Sequence, residues 1–157
     1  MRQLFFALAL GITACATPEA RADLPEVTYA ERVSVCVTAA EGDRAALNAC
    51  KGAASQPCMD ADGGESTLGM TMCLAEEGSA WEALMNAAQT RLAQRQETVA
   101  ALTSAQEQWR AYREAECGYA VARWGEGSGA RVELAGCMAT MVADRAIVLI
   151  LIEHLGE

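Results

Sequence analysis

Seven cysteines beside a single histidine constrain this 157-residue sequence more than any other feature. Cys15 stands apart inside an N-terminal apolar run, which leaves Cys36, Cys50, Cys58, Cys73, Cys117 and Cys137 as an even set. In an oxidising compartment an even set reads as disulfides. Six cysteines admit many pairings, and the sequential one is the expectation: Cys36 with Cys50, Cys58 with Cys73, and Cys117 with Cys137. Closing loops of that size stabilises a fold by about 3 kcal/mol each in the chain-entropy model. Zinc is a poor alternative, because there is no Cys-x-x-Cys pair and His154 lies far along the chain.

The N-terminus agrees with an oxidising destination. Met1-Arg2-Gln3 followed by the apolar run Leu4 to Ala14 reads as a secretion signal over residues 1–22, too short to cross a bilayer. Two processing sites compete. Ala20-Arg21-Ala22 would release a soluble chain starting at Asp23, whereas Ile12-Thr13-Ala14-Cys15 looks like a relaxed lipobox that would make Cys15 a lipidation site. The expected location is the periplasm or another exported compartment, with a lipid anchor if Cys15 is acylated.

Cleavage after Ala22 removes one of 21 acidic and two of 12 basic residues, leaving 20 and 10 and a net charge of −10. Nucleic acid is thereby a poor partner, since phosphate backbones need basic stripes. An acidic surface keeps an exported protein soluble and can also steer it toward a basic partner.

Apolar spacing predicts an all-α fold. Residues 23–70 would hold a leader, a helical hairpin and a glycine-rich loop; residues 71–157 would hold the main helical domain. The hairpin comprises a helix from Thr28 or Tyr29 to Ala40 and a second from Arg44 to about Ala54, with Asp43 as its N-cap. Asp60 to Ser66 has calcium-loop composition but the wrong residues at the ligating positions, so a turn is expected. A helix from Thr71 to about Arg95 carries Leu74, Trp81, Leu84, Met85, Ala88 and Leu92 on one stripe, with Gly78 interrupting it and Ser79 and Glu82 offering a restart. A second, starting near Thr103 and ending at Trp124, places Leu102, Ala105, Trp109, Tyr112, Ala120 and Trp124 on its apolar side. These two form the expected central antiparallel pair. A last helix from Val132 to Leu155 offers Leu134, Met138, Met141, Val142, Val148, Leu149 and Ile152 to the core. Its run Ile147 to Ile152 is apolar all round and too short to span a membrane, so no transmembrane helix is expected.

Three spaced motifs add a family. Ala105-Gln106, Trp109 and Tyr112-Arg113-Glu114-Ala115-Glu116-Cys117 resemble the signature helix of LprI-type lysozyme inhibitors. Cys73-Leu74, Glu77, Trp81-Glu82 and Met85-Asn86 resemble that family's first motif, and Cys137-Met138 with Arg145 its closing helix, although Val142 stands where a threonine is common. The resemblance spans roughly residues 73 to 149. It implies a protein that binds a lysozyme stoichiometrically without a cofactor; the alternative is an envelope interaction module with another partner.

The catalytic inventory is thin. One histidine cannot supply a Ser-His-Asp or Cys-His site convincingly, and Glu114 and Glu116, two apart on a helix, point to different sides. No catalytic, cofactor or metal residue is therefore nominated, and no enzyme activity is expected. Trp81, Trp109 and Tyr112 read first as core residues. Arg113 reads first as an ion-pair partner of Glu77 or Glu82. For a protein partner the glycine-rich loops Trp124 to Ala130 and Asp60 to Gly69 are the candidates. Trp124, Glu126 and Ser128, with Glu116 and Arg113 nearby in sequence, are the residues nominated for contact.

Overall fold

The computed structural model describes residues 28–95 and 97–155; the expected secretion signal, both expected processing sites and Cys15 lie outside them. Among the described residues the chain forms six helices and no strand: α1 (Tyr29–Ala39), α2 (Arg44–Ala49), α3 (Ser55–Met59), α4 (Thr67–Leu92), α5 (Val99–Ala122) and α6 (Gly129–His154).

The short helices begin where side chains satisfy their first amides. Thr28 and Glu31 form a reciprocal capping box at α1, and the Asp43 carboxylate accepts the Ala46 N–H at 2.7 Å at α2. Instead of running to Ala54, α2 stops at Ala49. Beyond it the Gly52, Ala54 and Ser55 amides turn toward α4, where the Glu77 carboxylate accepts them at 2.6, 3.0 and 2.6 Å. Glu77 thus caps α3, whose own N-cap, Ala54, has no side chain for the task. Trp81 Nε1 donates to the same carboxylate at 3.3 Å, and Glu77 is only 4% exposed. Burial pushes the Glu77 pKa up; the Ser55, Gly52 and Ala54 hydrogen bonds outweigh that and hold it below the ordinary value.

The cysteines pair sequentially. Cys36–Cys50 staples α1 to α2, Cys58–Cys73 ties α3 to α4, and Cys117–Cys137 joins α5 to α6, with Cα separations of 5.7, 5.7 and 5.6 Å.

The three long helices run up, down and up. Gly78 lies on Ala139, Gly136 near Leu74, and Arg91 pairs with Glu153, so positions rise together along α4 and α6 and these two helices are parallel. Helix α5 runs opposite to both, as Gln89 with Gln106 and Glu82 with Arg113 show on one side and Cys117 with Cys137 on the other. The sequence places the closest pairing between α4 and α5; the fold places it between α4 and α6. The reason is side-chain size. A Cβ on Gly78 would lie 3.3 Å from both Cα and Cβ of Ala139, and Ala143 and Ala146 continue the same buried stripe. Small residues at a crossing let the backbones approach closely. Gly78 therefore does not break α4, which runs unbroken past it, and Ser79 donates its hydroxyl to Ala75 O at 3.0 Å instead of restarting a helix.

Other boundaries and faces also differ from expectation. Helix α5 starts at Val99, and Thr103 donates its hydroxyl to the Val99 carbonyl rather than capping. Its inward residues are Leu102, Gln106, Trp109 and Cys117, whereas Ala105 is exposed and Tyr112 is 58% exposed. The apolar stripe read from sequence is rotated away from the true inner face because the most deeply placed inward position, besides the bridged Cys117, carries the polar Gln106. In α6, Val142 and Leu149 are buried as expected, but Leu134 and Ile152 are exposed, and Ala139, Ala143, Ala146, Ile147 and Ile150 fill the core instead. By length and composition alone the 26 residues of α6 would suffice to cross a membrane, a test that the core helix of a soluble protein also passes. In this fold α6 packs against α4, α5 and α2.

The expected outcomes of four substitutions follow from this packing. Replacing Glu77 with Ala should cost about 3 kcal/mol, because three amides lose a buried acceptor. Since folding lowers the Glu77 pKa, its stabilisation is fully present above the ordinary carboxylate value of 4.5 and is lost as pH falls through the folded value. Denaturant midpoints of Glu77→Gln should accordingly fall less with acidification than those of the parent. Gly78→Val should cost about 1–3 kcal/mol by overpacking. Gly118→Ala, at an exposed position in the penultimate turn of α5 with nothing within 4 Å of the new methyl, should stabilise by about 0.5–1 kcal/mol.

Candidate functional site

The polar residues on the inner face of α5 set its position against both neighbours. Gln106 is fully buried; its Nε2 donates to Gln89 Oε1 of α4 at 3.0 Å, and its Oε1 accepts from Nε of Arg145 on α6. Burial lowers the pKa of Arg145, whose guanidinium stays charged across any accessible pH. Further down α5, Arg113 stacks its guanidinium over the Trp109 ring at 5.0 Å and lies 3.8 Å from Glu82. Its carboxylate neighbour is thus Glu82, while Glu77 is engaged by the α3 amides.

Below this network the ends of the long helices part around a cleft of about 940 Å³. The first turn of α4, the last turns of α5 and the first half of α6 form its walls, with Met70, Glu116, Tyr119, Trp124, Ser128 and Glu133 among its lining residues. The Cys117–Cys137 bridge lies beside it, with both sulfurs against the Met141 thioether at 3.7 and 4.0 Å. Arg123 and Glu133 approach to 3.7 Å across the α5–α6 turn, a partly exposed pair that contributes little to stability.

That turn owes its shape to its glycines. Gly125 takes φ 59°, the left-handed exit that the glycine run predicts for the end of α5. Gly129 opens α6 directly beneath the Trp124 indole: a Cβ there would meet Cζ3 at 2.5 Å and Cε3 at 2.8 Å. The indole therefore rests on bare backbone, braced on one side and 51% exposed on the other. Ser128 precedes α6 without a side-chain cap bond, which leaves its hydroxyl unengaged by the helix.

Of the residues nominated from sequence, the fold brings Glu116, Trp124 and Ser128 together at the cleft. Glu126 is exposed in the adjoining turn, and Arg113 faces a different groove. Of the second candidate loop, residues 60–66 form a mostly exposed turn between α3 and α4, while Thr67 to Gly69 belong to the first turn of α4, with Ser66 as its cap. Tyr119, Met70 and Glu133 were not anticipated at the cleft. Tyr119 lies seven positions beyond Tyr112, which could have marked an outward face of α5; Met70 and Glu133 come from other helices and carry no local signal. The Asp60 to Ser66 turn belongs to no group of three or more metal-ligating side chains among the described residues.

A family model described as Lysozyme inhibitor LprI matches residues 58–149. The match begins before the motifs at Cys73 and takes in the Cys58–Cys73 bridge, all of α4 and α5, and most of α6. No curated protein and no solved structure matches the chain.

The bracing of Trp124 is directly testable. Gly129→Ala should displace the indole and speed amide exchange over residues 124–130, leaving exchange in α4 unchanged. Unaltered exchange in the turn would show that the ring does not hold it.

Proposed function

The chain belongs to the LprI lysozyme inhibitor family, and from that membership we propose that it is an exported envelope protein that binds a basic lysozyme stoichiometrically through the cleft end of its bundle. The observation that carries the choice of surface is the half-exposed Trp124 indole, held on Gly129 beside the cleft. Aromatic side chains immobilised before binding make effective anchors, because little conformational entropy remains to be lost. Around it stand Glu116, Glu126 and Ser128, two carboxylates and a hydroxyl suited to the donors of a glycosidase cleft. An excess of acidic residues across the chain favours approach to a cationic partner.

In this reading inhibition needs no turnover, cofactor or metal. The turn Gly125 to Ser128 enters or covers the partner's substrate groove, Trp124 supplies apolar contact, and the carboxylates meet basic or hydrogen-donating groups there. Export is supported by three disulfides, which persist in oxidising compartments. A start at Asp23 would give a soluble form, and acylation of Cys15 a tethered one; intact mass of membrane and soluble fractions distinguishes them.

Titrating the oxidised protein into a basic lysozyme should give saturable, one-to-one inhibition of cell-wall lysis that weakens at high salt. Trp124→Ala and Glu126→Lys should each raise the inhibition constant about tenfold or more, as expected for losing an anchor or reversing a contact charge, with far-UV circular dichroism unchanged. Normal inhibition by both variants would place the contact elsewhere. No inhibition by folded protein would reject lysozyme in favour of another envelope partner.

A further inference from the structure

The cleft of about 940 Å³ holds three charged side chains, Glu116, Arg123 and Glu133. Arg123 and Glu133 lie 3.7 Å apart and offset each other, whereas Glu116 enters no ion pair among the described residues. The one charge left uncompensated inside the cleft is therefore an anion. Its position follows from the pairing of the two helices. Cys117 is bridged to Cys137 and Arg123 meets Glu133, so Glu116 lies toward the bridge and the ion pair toward the turn, about 10 Å further along α5 at 1.5 Å per residue.

Tyr119 stands three positions beyond Glu116 and so adjoins it on the same face of α5, with its ring 64% exposed. From the other helices Met70, Leu74 and Val132 contribute apolar lining. Gly136 leaves the α6 side bare: a Cβ there would meet Leu74 Cδ1 at 3.7 Å, an ordinary contact. Elsewhere the same helix shows what a ring and a carboxylate do with a cation. At a second groove, of about 490 Å³, lined by Leu134 and Met138 on the opposite side of α6 from Val132 and Gly136, Arg113 is held by the Trp109 ring at 5.0 Å and the Glu82 carboxylate at 3.8 Å. Glu116 and Tyr119 offer the same two kinds of group. Among the described residues no arginine or lysine pairs with that carboxylate or lies over that ring.

From the uncompensated carboxylate, the exposed ring beside it and the apolar lining, we propose that the cleft receives one arginine side chain of the basic partner, its guanidinium at Glu116 and Tyr119 and its aliphatic stem along Met70, Leu74 and Val132. The identity of the partner rests on the lysozyme reading; the chemistry of the inserted side chain rests on the cleft alone. Arginine suits it better than lysine, because a planar guanidinium forks onto a carboxylate and stacks on an aromatic face while its methylenes take up apolar surface. An anionic side chain would meet the Glu116 charge and gain little from Arg123, which Glu133 offsets. The contact is then reciprocal: the turn at Trp124 covers the partner, and the partner fills the cleft beside it.

Two experiments test this. In the first, the oxidised full chain is titrated into a basic lysozyme. Glu116→Gln should raise the inhibition constant about tenfold or more, as expected for losing a charge-assisted contact, while Glu107→Gln, the same charge change at an exposed position of α5 outside the cleft, should alter it less than about twofold. Gly136→Leu should weaken inhibition about as much without lowering the thermal midpoint, since it fills the cleft and removes a glycine from inside a helix. If Gly136→Leu fails to fold, Glu116→Gln, at an exposed position, decides the matter. In the second, butylguanidinium, butylammonium and butyrate are titrated into isotopically labelled protein without lysozyme, and amide shifts are followed by NMR. Butylguanidinium should give saturable shifts confined to the cleft, around Glu116, Tyr119 and Val132, that Glu116→Gln abolishes; butyrate should give none. Inhibition that is the same in Glu116→Gln as in the parent would overturn the proposal and leave the lysozyme reading standing. Saturable cleft shifts with butylguanidinium and no inhibition of lysozyme would support the arginine site and reject lysozyme as the partner. Absence of such shifts would overturn the arginine site, and equal binding of butylammonium would overturn the choice of arginine over lysine.

Discussion

The close parallel crossing of α4 and α6 at Gly78 and Ala139 is the constraint on which the other placements depend. Two helices that run the same way and touch through glycine and alanine need a long return segment between them, and α5 is that segment. Because α4 and α6 already fill much of each other's apolar surface, α5 has less apolar surface to bury and meets them through long polar side chains and one disulfide. Its outer face, with Tyr112 and Tyr119, is left exposed. The cleft and the groove both lie along α6, where α5 does not close the bundle.

Glu77, one residue before that crossing, performs a second organising task. On neighbouring turns of α4, Glu77 and Trp81 face the N-terminal helices while Gly78 faces α6. The carboxylate takes up the amides that α3 cannot satisfy for itself, so a five-residue helix too short to be stable alone is held in register with α4. The Cys58–Cys73 bridge fixes the same two elements covalently. A buried carboxylate in an acidic protein is tolerable here because backbone N–H groups, which carry no counter-charge to be lost, solvate it.

Buried polar groups therefore recur at each junction: Glu77 between α3 and α4, Gln106 among all three long helices, and Arg113 between α4 and α5. The first two are satisfied and act as position-setting contacts, since displacing either element would leave costly unmatched groups. Arg113 is the exception: its buried Nε has no acceptor, and the guanidinium is held by the Trp109 ring and the Glu82 carboxylate. At the cleft, rigidity comes from packing instead, with an indole on a glycine and a disulfide behind it.

What the sequence determined alone was local. Helical spacing, the Thr28 and Asp43 caps, the glycine exit after α5 and the even cysteine count depend on residues near one another in the chain, and all are visible in the all-α disulfide-bridged fold. Tertiary structure decided which face of each helix turns inward. Apolar spacing pointed α5 inward through Ala105 and Tyr112, but Gln106 and Arg145 complete each other only across a separation of 39 residues, so no window along the chain shows that Gln106 belongs inside. Likewise Gly78 reads locally as a helix breaker, and only Ala139 opposite makes it a close contact between α4 and α6. The groupings of Glu116 with Trp124 and Ser128, and of Arg113 with Glu82, are consequences of how those helices pack, because residue spacing along a helix fixes neighbours within that helix and says nothing of what lies across from it.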